Sequence, residues 1–412
     1  MSAHELAVLA AGLLLYGLVS GRLQSGVVTM PLAFAAFGLA VGPGGLGLVE
    51  IDPGHGVIHA LAEVTLALVL FADAAHLDIR ELARRRGVEL RMLLVGLPLA
   101  ILLGAGLAAW LFPQVSWAAA MLLAAILAPT DAALGQAVIT SPVVPSGTRQ
   151  VMTAESGLND GLALPAVVVA AIAASGAAAG DGAESASPTA LARFAALQVV
   201  LGPLIGGAVA WAGGRLVDRA SAAGWTTEAF RGIAILAIAL LAFALAETAG
   251  GNGFLAAFTG GVVVGCVVPQ HCGRLLEFME AEGALLTVFA FFLFGSVLLP
   301  QGLGHVGLPV VLYALGSLFL VRVLAVWISL AGSGLQAPTR FFLGWFGPRG
   351  LASILFVLLI LEEHPVPEHR AIHTCVVLTV ALSILLHGVS AGPLAKVYGR
   401  WAESQGAAAD PG

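Results

Sequence analysis

Apolar runs of roughly 20 residues, set apart by short polar stretches, recur along the whole chain, and a helix needs about 20 apolar residues to cross the hydrocarbon core of a bilayer. The pattern predicts thirteen membrane spans, at 5–21, 27–47, 56–77, 92–112, 117–139, 150–175, 190–213, 230–249, 253–269, 283–300, 306–330, 339–361 and 371–391. Two of them are interrupted, span five at Ala128-Pro129-Thr130-Asp131 and span twelve at Gly347-Pro348-Arg349-Gly350. Proline removes a backbone donor there and glycine relaxes the helix. The two breaks fall in the fifth spans of two six-span halves, one to six and eight to thirteen, separated by a single helix. Each half then begins on the opposite side of the membrane, which predicts an inverted repeat. One break alone reads as an ordinary kink; two at corresponding positions, each with a charge, point to a transporter's binding site. The fold class expected is an all-α polytopic membrane protein with about thirteen transmembrane helices and discontinuous helices five and twelve.

Composition excludes the globular alternative. The chain is 59% hydrophobic and 10% charged, with a mean hydropathy of +0.98, against about 25% charged residues in a soluble domain. No soluble domain is expected, and nothing supports nucleic-acid binding. The net charge of -6 says little, because in a membrane protein the side on which each charge lies is what matters. Counting Lys and Arg on alternating sides gives 14 against 2, with Arg322 and Arg349 inside spans. The excess marks the cytoplasmic side, so the N-terminus is expected outside and the C-terminus inside. The first run lacks a basic flank and carries Glu5, and it reads as a membrane helix, not a cleaved signal. The stretch Asp78–Arg91 (DIRELARRRGVELR) is expected at the cytoplasmic interface, Ser175–Pro188 as a flexible external connection, and 392–412 as a short polar cytoplasmic tail. Cys266, Cys272 and Cys375 form no CxxC pair and read as small buried hydrophobes.

The chemistry concentrates in spans five and six, where Thr130, Asp131, Glu155, Asn159 and Asp160 lie in segments otherwise apolar enough to cross a bilayer. A carboxylate in hydrocarbon costs several kcal/mol unless function retains it. Glu155 and Asn159 share one helical face; Asp160 lies about 100° round and shares its face with Ser156. A carboxylate and a hydroxyl on one face suit a hard monovalent cation that prefers oxygen. Asp131, beside carbonyls freed by the break, could supply further ligands. A proton and a cation competing for one carboxylate give obligatory exchange, and Asn159 cannot titrate, so one proton per monovalent cation is expected. Arg322 needs a partner, and Glu155 is the most attractive one, in a structural role; Arg349 could offset half-helix dipoles and the acids opposite. Asp73 either lines the route to the site or marks a helix end. Glu63 and Glu247 have weaker claims, and the cluster Glu362, Glu363, His364, Glu368, His369 and His373 reads as a solvated connection with no regular metal-ligand spacing. No cofactor is expected. An intramembrane enzyme is discounted on the reading that neither HExxH nor GxSxG occurs.

At these residues the chain resembles the monovalent cation:proton antiporter family, of the sodium/proton exchanger type with an Asn-Asp motif. The resemblance rests on APTDAALG, AESGLNDG, AETAGGNGFLAAFTGGVVVG, LVRVLAV, GWFGPRGLASI and HGVSAGPLAKVYG, in order and over essentially the full length. It implies a homodimer in the cell membrane, with spans one to three and seven to ten as scaffold and spans four to six and eleven to thirteen as the mobile ion-carrying core. It also implies Asp160 as the essential ion and proton carboxylate, with Asp131, Thr130 and Ser156 around the ion. Asn159 would mark the electroneutral branch, Glu155 and Arg322 would form an intracore salt bridge, and Asp73 stands where related exchangers are acidic. The chain departs from GESLLNDG at Ala154 and Gly157, and Ala132 stands where Pro is common. The function expected is exchange of sodium, with lithium as a second ion, for protons. The alternatives are a potassium/proton antiporter of the same fold and a membrane ion sensor that does not transport.

Overall fold

The computed structural model describes residues 3–23, 28–49, 56–75, 87–178, 188–267, 272–363 and 366–405. Among these no strand occurs, and thirteen helical segments, each broken helix counted once, lie where thirteen spans are expected. They are α1 (Ala3–Leu23), α2 (Met30–Val41), α3 (Gly56–Ala75) and α4 (Val88–Leu111); α5 as halves α5a (Trp117–Ile126) and α5b (Ala132–Ile139); then α6 (Ser146–Ala178), α7 (Pro188–Ala222), α8 (Glu228–Thr248), α9 (Gly253–Val267), α10 (272–303) and α11 (Leu308–Ser329); α12 as halves α12a (Ala337–Trp345) and α12b (Leu351–Glu363); and α13 (His369–Gln405). Eight helices among the described residues are long and apolar enough to cross a membrane unaided.

Local sequence explains most of the ends. Thr29 caps α2, its hydroxyl accepting from the Leu32 amide, and Gly42-Pro43-Gly44-Gly45 ends it at Val41. The chain then folds back, with Leu48 and Val49 amides on the Val41 carbonyl, so this span is shorter than the 27–47 expected. Ser116 caps α5a by accepting from the Ala119 amide. The helices α4 and α11, which correspond in the inverted repeat, each contain a π-helical turn, at Met92–Gly96 and Gly316–Val321. Such turns insert a residue and re-aim the helix beyond them, and the one in α11 ends immediately before Arg322.

Two expectations change. The last helix does not stop near 391: it runs to Gln405, and Ala391, Ala395, Tyr398 and Ala402 are buried on one face of it. Those spacings of four, three and four are an amphipathic stripe that continues past the apolar run; residues 406–412 lie outside the described part. Cys375 is buried as expected, but Cys266 is exposed. The Asp78–Arg86 portion of the basic stretch and residues 179–187 of the expected external connection also lie outside the described residues, while Ser175–Ala178 continues α6.

The helices pack in two neighbourhoods. α3 and α7 to α9 pack on one another, and α10 joins α2 and α3; α4, α5 and α6 pack together, as do α11, α12a and α13. At the boundary α6 meets α3, α7 and α9, α12b meets α3 and α10, and α13 meets α10 and α2. At Gly161 an added Cβ would run into the ring of Phe258 from α9, so this glycine is what lets the two neighbourhoods close beside Asp160.

Candidate functional site

The two interrupted helices meet at their breaks, and each break has loose ends to satisfy: carbonyls at the end of the first half and amides at the start of the second. In an apolar surround each unsatisfied group costs several kcal/mol. Asp131 supplies most of the acceptors. Its Oδ1 accepts from the amides of Ala133 (2.7 Å) and Leu134 (3.4 Å), capping α5b, and its Oδ2 accepts from the amide of Leu351 (2.7 Å), capping α12b. Its own amide donates to the Pro348 carbonyl at 2.8 Å. One carboxylate thus faces the positive ends of two half-helices, the placement that the helix dipole favours. Gly350 makes it possible, because a Cβ there would strike the Asp131 carboxylate.

Arg349 does the complementary task. Its Nη1 donates to the carbonyls of Ala128 (2.6 Å) and Pro129 (3.0 Å), at the negative end of α5a, and the Ser353 hydroxyl donates to Ile126 (2.7 Å). The Arg349 amide donates to the Ser383 hydroxyl at 2.7 Å. Arg349 is 1% exposed, so these carbonyls stand in for the water it has lost.

Thr130 is gripped from α6. Its amide donates to Asn159 Oδ1 (3.2 Å), its hydroxyl accepts from Asn159 Nδ2 (2.5 Å), and it shares a hydrogen bond with the Ser156 hydroxyl (3.2 Å). Asn159 therefore acts on the break itself, a task its inability to titrate did not suggest. Asp160, one turn beyond Ser156, is buried, and its Oδ1 has no hydrogen-bond partner. The charges close enough to act on it are Asp73 and Asp131. Asp73, half-buried on α3, comes from the other neighbourhood.

On the opposite side Arg322 meets Glu155 in a two-pronged pair, 2.6 Å from Nη1 to Oε1 and 2.7 Å from Nη2 to Oε2, both side chains buried. A planar guanidinium against a carboxylate is the strong geometry for a buried pair.

Of the residues singled out from sequence, Thr130, Asp131, Ser156, Asn159, Asp160, Arg349 and, more remotely, Asp73 come together at the crossing; Glu155 and Arg322 stand behind it. Glu63 and Glu247 lie elsewhere: Glu247 Oε1 accepts from the Gly253 amide (2.6 Å) and Glu63 is 3.4 Å from His59. In the expected solvated connection, Glu368 Oε1 accepts from the Ser116 amide (3.0 Å), and no metal-holding group of three occurs among the described residues; His364 lies outside them. The string GVSAG at 388–392 does carry G-x-S-x-G spacing, but it sits in mid-helix and the Ser390 hydroxyl accepts from the Trp345 indole (3.0 Å), so it forms no elbow. Sequence reasoning missed Ser353, Ser383 and His387. The last two lie in or just before the HGVSAG string, whose polar residues on an apolar helix were the available signal.

A family model described as sodium/hydrogen exchanger, transmembrane, matches residues 8–397. The chain belongs to that family. Exchangers of this kind are cation/proton transporters and not enzymes. Among relatives, the protein named K(+)/H(+) antiporter NhaP2 from Shewanella oneidensis is 26% identical over 397 residues, 95% of this chain and 66% of that one. The exchanger chain thus spans just under two thirds of that relative's length. The Na(+)/H(+) antiporter of Saccharomyces cerevisiae is 33% identical over 136 residues, 31% of this chain and 14% of its own. The solved sodium proton antiporter MjNhaP1 from Methanocaldococcus jannaschii superposes with a TM-score of 0.77 at 20% identity, covering 95% of this chain and 96% of that one. The fold of this exchanger is therefore the MjNhaP1 fold.

Proposed function

We propose that the protein exchanges sodium for protons across the cell membrane, one for one, with cation and proton taking turns on Asp160. The observation that carries this reading is the unpartnered, buried Oδ1 of Asp160, one helical turn from Ser156, whose hydroxyl meets that of Thr130, where helices of two neighbourhoods meet. A buried carboxylate oxygen without a donor holds either a proton or a cation. Thr130 and Ser156 offer oxygens for the cation, and Asn159 holds Thr130 toward α6. Asp131, with both oxygens committed to helix amides, contributes mainly charge, and Asp73 lines the route from α3. In this reading α4 to α6 and α11 to α13 move as the ion-carrying core against α1 to α3 and α7 to α10, in a homodimer with its C-terminus in the cytoplasm. Helix packing in two neighbourhoods, with α6 at the boundary, supports that division.

The names of relatives favour a second reading, potassium for protons, since the Shewanella protein is named a K(+)/H(+) antiporter. Radioactive sodium uptake into proteoliposomes under an imposed pH gradient tests both, with Asp160→Asn as the control and unlabelled potassium as competitor. Gradient-driven uptake that disappears in Asp160→Asn and resists potassium is the expected result. Uptake of rubidium in place of sodium establishes the potassium reading, full activity in Asp160→Asn rejects the assigned carboxylate, and saturable binding with no flux indicates the sensor. A current in solid-supported membrane recordings would refute one-for-one exchange.

A further inference from the structure

The break in α12 is held from α13 by three hydrogen bonds and a ring stack that the exchange reading leaves unused. The Trp345 carbonyl, last of α12a, lies 2.9 Å from His387 Nε2, which donates to it in the tautomer that carries its proton there. The Trp345 indole N–H donates to the Ser390 hydroxyl at 3.0 Å, and the Trp345 and His387 rings stack with centroids 5.1 Å apart. His387 Nδ1 lies 2.9 Å from the Ser383 carbonyl and 3.2 Å from its hydroxyl, and that hydroxyl accepts the Arg349 amide at 2.7 Å. His387 and Ser383 are both buried.

The contacts form a line. His387 joins the Gly347 amide on the last carbonyl of α12a, Ser383 holds the Arg349 amide, and Arg349 holds the Ala128 and Pro129 carbonyls that precede Thr130. We infer that Ser383 and His387 are positioning residues for the cation site, setting the direction of the α12 break and through it the place of Thr130. The inference rests on the exchange reading of Asp160. Neither residue touches the ion, so both act on cation affinity more than on turnover.

The test is cation-dependent exchange in proteoliposomes for wild type, Ser383→Ala, Ser383→Thr, His387→Gln, His387→Asn and His387→Leu, with thermal unfolding of each variant measured in detergent. Gln places an amide donor where Nε2 stands and still reaches the Trp345 carbonyl; Asn places one only near Nδ1. Losing one such hydrogen bond changes an equilibrium by about three- to tenfold. His387→Leu, His387→Asn and Ser383→Ala are expected to raise the cation KM by that factor with kcat within about twofold, while His387→Gln and Ser383→Thr stay near wild type. Equal KM values in all six proteins overturn the inference, as does a loss of kcat that merely tracks unfolding temperature and is not rescued by Gln or Thr. Should wild type fail to exchange, the reading of Asp160 fails and this inference with it; exchange by wild type, none by Asp160→Asn and an unchanged His387→Leu defeats the inference alone.

Discussion

The breaks in α5 and α12 are counterparts in the repeat, yet their loose ends are satisfied by different means. The α5 break carries a carboxylate and uses it on both second halves, α5b and α12b. The α12 break carries a guanidinium and sends it to the end of α5a, while the end of α12a is met by the Gly347 amide and His387. Beyond the crossing, the α5 break faces Ser156, Asn159 and Asp160, while the α12 side is backed by the closed pair of Glu155 and Arg322. On the α12 side both arginines have hydrogen-bond acceptors, and their Nε atoms are left over; on the α5 side the group left over is a carboxylate oxygen, Asp160 Oδ1. A repeat supplies two similar cradles, and asymmetric side chains make one acidic and the other basic.

The comparison breaks most visibly at the ion pair. Glu155→Gln strands a buried guanidinium and is expected to destabilise the fold by about 3–5 kcal/mol, whereas Glu155→Leu combined with Arg322→Met recovers most of the loss. Thermal unfolding with and without the second change measures it; a double variant no better than the single one would give the pair a role beyond neutralising itself. Next is Gly350→Ala, which pushes the Asp131 carboxylate off α12b. Displacements of this size near a reacting centre cost about a hundredfold in rate, and exchange near wild type would mean that the crossing yields more than its contacts suggest.

Asp131→Asn sharpens the contrast between cap and ligand. The amide keeps one acceptor but loses the charge, which should lower stability by about 1–2 kcal/mol and slow exchange without abolishing it. Complete loss in a folded variant, measured beside Asp160→Asn, would make Asp131 an ion ligand. The smallest effect is expected for Ser353→Ala, which removes one donor from the Ile126 carbonyl and should cost about 1 kcal/mol; a shift above about 3 kcal/mol in unfolding measurements would show that α5a depends on this cap more than on Arg349.

The spans were legible because the signal is one-dimensional: a run long enough to cross hydrocarbon is a helix whatever it packs against. The same reasoning misjudged α2, where glycines end the helix early, and α13, where Tyr398 and Ala402 carry a buried stripe into polar sequence. The Tyr398 hydroxyl stands 3.1 Å from the hydroxyls of Thr148 on α6 and Thr339 on α12a, a junction of three distant segments. At the crossing, charged residues announced themselves because charge in an apolar span is rare. Asn159 was visible as a residue but not as the clamp on Thr130, and Ser353, Ser383 and His387 were passed over. Uncharged groups have no such base of surprise, and their partners on other helices lie 29 to 227 positions away in sequence.

Because a single carboxylate caps α5b and α12b while a single guanidinium seals α5a, the two halves of the repeat are riveted where they touch. Sliding one past the other would bare the Leu351 amide, the Ala128 and Pro129 carbonyls and two charges together, all of them buried. Motion that keeps the rivet whole is far cheaper. A cation held beside it would then cross the membrane as a passenger on a solid block, with the elastic work falling on the linkers and boundary helices and none on the cradle.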